Sequence, residues 1–296
     1  MKKTKNWILI QTLALSVSLG FSVAHAREVG MYGTTDWTST CSATDLSTWD
    51  NMAQDWYDTI TSHSGYSKDG KWVDGSINNK VTCDPDSGSG CRDYNYMDEK
   101  DAVILFGHGA DDGDHWSMIW RNEGPDGSCW VEHPGASDQN YAMYAGDVDL
   151  EFLHLSSCNS MDDDNLPNAW RAMRDPADSG GNGRRLHQMN GFHGCMWIGS
   201  GYISDYGDFA DDGFSSSISD AWLYNHYYED SIDWTKQLSQ CPVSYAIGSS
   251  ASDCLDRLNN ERYNNVYSDP GTITHYCYAY FAGCDPACES AFNPGS

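Results

Sequence analysis

Two runs of mostly apolar residues predict strands that are covered on both faces. The first run spans Ala102 to Phe106 and the second spans Glu151 to Leu155. Neither run alternates regularly between apolar and polar residues, as a strand with one face in water would. A third strand is predicted within His187 to Gly199. Runs of this kind are typical of the central strands of a parallel sheet.

Helical spacing of apolar residues occurs between and around these strands. The apolar positions from Trp49 to Ile60 predict a helix over residues 48–62, and similar spacing predicts helices over 167–174 and 209–228. The polar segment 65–95 is rich in Gly, Ser and Asp, which indicates loops with a short hairpin. Because strands alternate with helices, the sequence predicts an α/β fold with a mainly parallel sheet flanked by helices.

The first residues have the pattern of a signal peptide. Lysines at positions 2, 3 and 5 precede an apolar stretch from Trp7 to Val23, and Ala24-His25-Ala26 fits a cleavage site. We therefore expect a signal peptide over residues 1–26, with an uncleaved membrane anchor as the alternative. After cleavage the protein is expected to be secreted, extracellular or periplasmic, with no membrane association.

The remainder divides by composition into two parts. Residues 27–234 contain the predicted strands and helices, whereas residues 235–296 are rich in Cys and Asn and show no clear repeat. The second part either packs on the first or forms a separate module. Disulfide-rich segments are therefore expected to flank the α/β domain.

The charge balance narrows the classes of partner. The chain has 43 acidic and 17 basic residues, which gives a formal net charge of −26. Such a charge argues against nucleic acid as a partner, because phosphates attract basic surfaces. It suits calcium, a saline habitat or a cationic substrate, and equally solubility alone.

The number of cysteines is odd. Eleven cysteines follow the predicted signal peptide, so at least one lacks a partner within the chain. Cys83 and Cys91 are expected to form a local disulfide, and Cys241 is expected to pair with Cys254. A further disulfide is expected within the group formed by Cys277, Cys284 and Cys288. The remaining thiol is reactive, intermolecular, or buried and inert.

A histidine and a cysteine follow the first two predicted strands. His108 comes just after the first strand and Cys158 just after the second. The carboxyl ends of neighbouring parallel strands meet at one edge of a sheet, so the imidazole and the thiol are expected side by side. A histidine can take the proton of a thiol and so produce a nucleophile. The N–H groups of Gly109 and Cys158 are candidates for an oxyanion hole.

These motifs resemble those of the caspase-like cysteine peptidases, the group that includes caspases, gingipains, clostripain, legumain and metacaspases. The resemblance is carried by ILFGHGA (104–110) and FLHLSSCNS (152–160), and by a histidine about 50 residues before its cysteine. The next strand and helix of bacterial caspase-like domains resemble NGFHGCMWIG and DFADDGFSSSISDAW. The chain most resembles an uncharacterised family of secreted bacterial proteins with the same order of motifs. The resemblance covers about Ala102 to Tyr228. It departs at Asn159-Ser160, which does not match the caspase motif QAC-x-G.

The resemblance implies a caspase-like fold and a peptidase. His108 would be the general base, Cys158 the nucleophile and Gly109 an oxyanion donor. The substrate would be a peptide or protein, and no cofactor would be required, although several related families depend on calcium. Alternatives without catalysis at these residues stay open at this point. His108 could belong to an ordinary turn at the end of a strand, and Cys158 could form a disulfide. Cys195 would then be the free thiol.

Aspartates follow both motifs. Asp111 and Asp112 come after the histidine, and Asp162 and Asp163 come after the cysteine. They are expected to bind substrate by selecting an Arg or Lys side chain, to bind calcium, or to form only a solvated acidic rim. Neither run has the EF-hand pattern, and the His and Cys residues lack a compact spacing for zinc.

Two further hypotheses concern processing and an alternative function. Arg184-Arg185 lies in a Gly-rich segment, and we hypothesise that a peptidase with basic specificity cuts itself there. With 12 Trp and 18 Tyr, the chain is alternatively an inactive caspase-like scaffold that binds carbohydrate or mediates adhesion. Trp49, Trp56 and Trp222, however, lie at the spacing of helical core residues.

Overall fold

The computed structural model describes residues 26–111, 115–134, 142–163, 166, 169, 186–233, 236–286 and 288. The strands are β1 (Arg27–Gly33), β2 (Tyr66–Val73), β3 (Ala102–Phe106), β4 (Gly109–Asp111), β5 (Trp116–Ile119), β6 (Trp130–Glu132), β7 (Phe152–Ser156), β8 (Gln188–His193), β9 (Tyr228–Asp233), β10 (Lys236–Gly248) and β11 (His275–Tyr280). The α-helices are α1 (Trp49–Ser62), α2 (Ile203–Ser215), α3 (Ile218–His226) and α4 (Ala251–Asn260).

The central sheet is mainly parallel. Its described strands follow the order β11-β10-β8-β7-β3-β1-β2, and β9 pairs with β10. The five strands from β2 to β8 in this order are parallel, whereas β10 is antiparallel to both β8 and β11. Strands β4, β5 and β6 form a separate antiparallel sheet. The predicted α/β class with a mainly parallel sheet is therefore confirmed.

The two predicted apolar strands are buried on both faces. Val103 and Leu105 of β3 pack into one apolar cluster, together with Trp116 and Met118 of β5. Alternate side chains of a strand point to opposite faces, and Ala102, Ile104 and Phe106 accordingly join the second cluster. Helices α1, α2 and α3 supply most of that second cluster.

The aromatic residues expected in the helical core are buried there. Trp49, Trp56 and Trp222 are each 0% exposed. The polar residue in the second apolar run, His154, is also buried, and both of its ring nitrogens have partners. Its Nε2 lies 2.8 Å from the Tyr263 hydroxyl, and its Nδ1 lies 3.0 Å from Asn190 Nδ2. These contacts explain how β7 tolerates a histidine in the core.

Two expectations about local structure are wrong. The single helix predicted over 209–228 is interrupted at Ser216, and Ser217 Oγ begins α3 by accepting from the Asp220 N–H at 3.1 Å. A serine cap interrupts a helix even where the apolar spacing continues. The segment predicted to hold a hairpin instead contributes β2, which pairs in parallel with β1. Its exposed polar residues suit the edge of a sheet.

The C-terminal segment belongs to the same sheet as the preceding part. Six residues of β10, Cys241 to Ala246, pair with residues of β8, and β11 pairs with β10. Helix α4 packs against both β10 and β11. The compositional boundary at 234 is therefore not a boundary between two structural modules.

All eleven cysteines lie among the described residues, and ten of them form disulfides. The predicted pair Cys83–Cys91 is confirmed. The predicted pair Cys241–Cys254 is wrong, because α4 packs Cys254 against Cys277 of β11. The other pairs are Cys41–Cys129, Cys195–Cys288 and Cys241–Cys284. Cys158 is the free cysteine. Five disulfides fit a protein of an oxidising compartment.

Some expectations fall outside the described residues. They are residues 1–25 of the predicted signal peptide, the predicted helix over 167–174 except for Ala169, and the Arg184-Arg185 pair. In the part of the chain that the structure describes, every helix is too short or too polar to cross a bilayer.

The disulfide pattern predicts one titratable thiol per chain. Protein that is denatured without reductant should react with one equivalent of a thiol reagent, and peptide mapping should place the label on Cys158. Reduction before denaturation should expose all eleven thiols and serves as the control. Two or more labelled sites in the unreduced protein, or a label on Cys195, would contradict the pattern.

Candidate active site

Strands β3 and β7 bring His108 and Cys158 to the same edge of the sheet. The two strands pair in parallel, with Phe106 opposite Ser156, and the Gly107 N–H donates to the Ser156 carbonyl at 3.4 Å. His108 and Cys158 are each the second residue after these paired ends. Their backbones therefore leave the sheet at equivalent positions.

Gly109 packs directly on the backbone of the cysteine. A Cβ at this position would lie 2.2 Å from the Cys158 carbonyl oxygen and 2.3 Å from Ser157 Oγ. Since both distances are far below contact distance, a larger residue would push the two turns apart. Position 109 therefore requires a glycine because two chain segments approach each other closely there.

The N–H of Gly109 is not used by the small sheet. The Ile119 N–H donates to the His108 carbonyl at 3.0 Å, next to the pair formed by Gly109 and Met118. In an antiparallel ladder the polar groups of successive residues point alternately toward the partner strand and away from it. The N–H of Gly109 therefore points away from β5, as an oxyanion donor requires.

A backbone carbonyl selects the tautomer of the His108 ring. Its Nε2 lies 2.8 Å from the Thr44 carbonyl oxygen. Because a carbonyl only accepts hydrogen bonds, Nε2 carries the proton, and Nδ1 of the neutral ring is the basic nitrogen. The rings of Trp37 and Trp49 lie against the imidazole, with centroids at 4.8 and 5.5 Å.

The loop that presents the Thr44 carbonyl is held in place at several points. The Leu46 N–H donates to the Thr35 carbonyl at 2.8 Å, and the Trp37 N–H donates to Asp45 Oδ1 at 3.0 Å. The Cys41–Cys129 disulfide ties the same loop to the segment that precedes β6. Both flanking indoles are also fixed: Trp37 donates to the Ile119 carbonyl and Trp49 to Ser156 Oγ.

Cys158 is half-buried, and its thiol accepts a hydrogen bond. The Met196 N–H donates to Cys158 Sγ at 3.4 Å. Burial raises the pKa of the Cys158 thiol above its ordinary value, and the Met196 N–H opposes part of that rise. Burial at this position therefore favours the neutral thiol over the thiolate.

The residues after the cysteine form a tight turn against β8. Asn159 has a φ of 56°, a left-handed conformation that asparagine adopts more readily than most residues. Its N–H donates to the Gly194 carbonyl at 2.8 Å, and the Phe192 N–H donates to Ser160 Oγ at 3.0 Å. The Asn-Ser sequence that departs from the caspase motif thus has a local structural role.

The C-terminal segment supports the loop that contacts the thiol. The Trp197 N–H donates to Gln240 Oε1 at 2.5 Å, and Gln240 Nε2 donates to the His226 carbonyl at 2.7 Å. Cys195 forms a disulfide with Cys288. Cys195 is therefore not the free thiol, and the hypothesis that placed the nucleophile there is wrong.

The aspartates do not form one exposed rim. Asp111 is exposed at the end of β4 and Asp163 is half-buried. Asp162 is only 2% exposed, and its Oδ2 lies 3.2 Å from Nδ1 of the buried His193. A buried carboxylate is not available to a substrate side chain, so Asp162 does not fit the expected substrate-binding role. Asp112 lies outside the described residues.

Several groups of this site leave no signal in the sequence. The Thr44 carbonyl and the Met196 N–H belong to the backbone, so residue type does not mark them. His193 precedes a glycine, as His108 does, but its contact with Asp162 joins two segments that are distant in the sequence. Trp49 is predicted only as a helical core residue, and Trp37 has no predicted role; both are buried.

Residues 35–281 match the DUF6345 family, which is described as a domain of unknown function. No curated protein matches the chain. Because the family match covers more than half of the sequence, the chain belongs to the DUF6345 family.

Proposed function

We propose that this protein is a secreted, caspase-like cysteine endopeptidase that uses His108 and Cys158 as a dyad. The proposal is supported by the positions of a free thiol and a histidine at the same edge of the sheet. Cys158 is the free cysteine of a chain whose ten other cysteines form disulfides. His108, at the equivalent position of the neighbouring strand, holds its proton on Nε2 through the Thr44 carbonyl.

The reaction begins with removal of the thiol proton. Nδ1 of His108 accepts the proton of Cys158, and the thiolate attacks the scissile carbonyl carbon. The resulting imidazolium is stabilised by the Thr44 carbonyl, which accepts from Nε2, so no third carboxylate is needed. The N–H groups of Gly109 and Cys158 then donate to the oxyanion of the tetrahedral intermediate.

Collapse of the intermediate completes the first half of the reaction. The C–N bond breaks, His108 gives its proton to the leaving amine, and an acyl-enzyme remains on Cys158. A water molecule then gives a proton to His108 and attacks the thioester. The thiolate leaves, recovers the proton, and the carboxylic acid product is released.

Acidic residues near both turns favour substrates with a basic side chain. Asp111 is exposed and Asp163 is half-buried, and Asp112 follows Asp111 in the sequence. The formal net charge of −26 attracts cationic peptides over a longer range. We therefore expect cleavage after Arg or Lys, without a required cofactor.

A panel of fluorogenic peptides with Arg, Lys, Asn or Asp at the cleavage position tests this function. The mature protein should cleave the Arg and Lys peptides best. Cys158→Ala should abolish cleavage, and His108→Ala should lower kcat by at least about 100-fold, since general-base catalysis contributes that much. His275→Ala, which changes an exposed histidine of β11, is the matched control and should leave cleavage unchanged. No cleavage of any peptide by the folded wild-type protein would contradict the proposal and favour a binding function.

The rate of thiol alkylation should depend on pH in a defined direction. Burial raises the pKa of the Cys158 thiol, so the thiolate is scarce below that pKa and forms as the pH rises through it. The alkylation rate by iodoacetamide should therefore rise with a midpoint above that of a free cysteine. Denatured, unreduced protein provides the matched reference for the same thiol. A midpoint well below that reference would instead indicate a resting thiolate–imidazolium pair.

A further inference from the structure

Three potential metal ligands converge beside the cysteine turn. Asp162, Asp163 and His193 each offer a ligand atom, and these three atoms lie within 4.8 Å of one another. Asp162 is 2% exposed and His193 is 0% exposed, whereas Asp163 is half-buried. The group thus consists of two buried members and one member with access to solvent.

The fold holds these ligands together through the backbone. The Met161 N–H donates to the Phe192 carbonyl at 2.9 Å, and the Asn159 N–H donates to the Gly194 carbonyl at 2.8 Å. The turn that follows Cys158 is therefore anchored on both sides of His193, the last residue of β8. This anchoring places the Asp162 carboxylate against the His193 ring, with Oδ2 and Nδ1 at 3.2 Å.

The geometry suits a small divalent ion. Ligands at 2.0–2.1 Å from a tetrahedral Zn²⁺ lie about 3.3 Å from one another, close to the separation of Asp162 Oδ2 and His193 Nδ1. A buried carboxylate is stable only when it is paired or coordinates a metal. A direct ion pair of Asp162 with His193 is the competing explanation for the same contact.

The donor set favours a transition metal over calcium. Calcium takes six to eight oxygen ligands, whereas an imidazole with carboxylates is typical of zinc and of neighbouring divalent metals. Here one of three ligands is a nitrogen, and two carboxylates supply the charge. The fourth position of a tetrahedral ion would be open to water.

We propose that Asp162, Asp163 and His193 bind one divalent transition-metal ion, with Zn²⁺ as the best match. The ion would join the Cys158 turn to the end of β8 and so hold the turn in place. Its ligands do not include the His108–Cys158 dyad, but they share Asp163 with the acidic residues proposed to attract a basic substrate side chain.

Cobalt binding tests the site without relying on enzymatic activity. Protein treated with a chelator is titrated with Co²⁺ while the visible absorption is recorded, and Zn²⁺ is then added. We expect one Co²⁺ per chain, d–d bands in the visible region, and displacement of the cobalt by Zn²⁺. Asp163→Asn should weaken binding by at least about tenfold, since even outer-shell partners of metal ligands contribute that much. Asp208→Asn, an exposed aspartate of α2, should leave it unchanged.

Further variants separate the proposed ligands from the nearby thiol. His193→Gln should remove the visible bands, and Asp163→Asn, which changes a half-buried residue, keeps the test valid if the histidine variant does not fold. Cys158→Ser should bind cobalt as the wild type does. Four results would overturn the proposal. Two concern the variants: stoichiometric binding that survives both ligand substitutions, or binding that is lost in Cys158→Ser. The other two concern the folded wild type: binding of Ca²⁺ but not Co²⁺, or no binding at all.

Discussion

The parallel pairing of β3 with β7 is the interaction on which the rest of this structure depends. It is buried on both faces, because helices cover one face and the small β4–β6 sheet with its neighbouring loops covers the other. The pairing sets the positions of the two turns that follow, and Gly109 allows those turns to touch. A histidine and the free cysteine thereby reach one edge of the sheet. The candidate chemistry is a consequence of strand register.

The elements around this edge fix backbone groups more than side chains. The Cys41–Cys129 disulfide holds the loop that presents the Thr44 carbonyl to His108. The Cys195–Cys288 disulfide and the Gln240 side chain hold the loop whose Met196 N–H reaches the thiol. Two of the five disulfides thus constrain loops at the site. The C-terminal segment is part of this framework.

The sequence was sufficient to predict the features that depend on local pattern. Continuous apolar runs identified β3 and β7, helical spacing identified α1, and a short separation identified the Cys83–Cys91 disulfide. Features that depend on distant contacts were missed or mistaken. The partner of Cys254 is decided by how α4 packs across β10 and β11, and the break between α2 and α3 is decided by one serine cap. The contact of Asp162 with His193 arises from the turn that follows Cys158.

The aspartates near the site differ in burial, and the composition of the chain does not show this difference. The four aspartates that follow the two motifs look alike in the sequence, yet Asp111 is exposed whereas Asp162 is buried against a histidine. An exposed carboxylate can attract a cationic substrate, but a buried one must be balanced within the protein. The acidic residues near the site therefore divide into a surface role and an internal role.

The central claim is that His108 and Cys158 act as one unit, and covalent trapping tests it most directly. The mature protein would be incubated with an arginyl peptide that carries an acyloxymethyl ketone, and the adduct would be located by peptide mass spectrometry. The account predicts one adduct, on Cys158, that forms much more slowly in His108→Ala, while the same variant and the wild type react alike with iodoacetamide after denaturation. An adduct at another residue, or an equal trapping rate in the folded histidine variant, would contradict it.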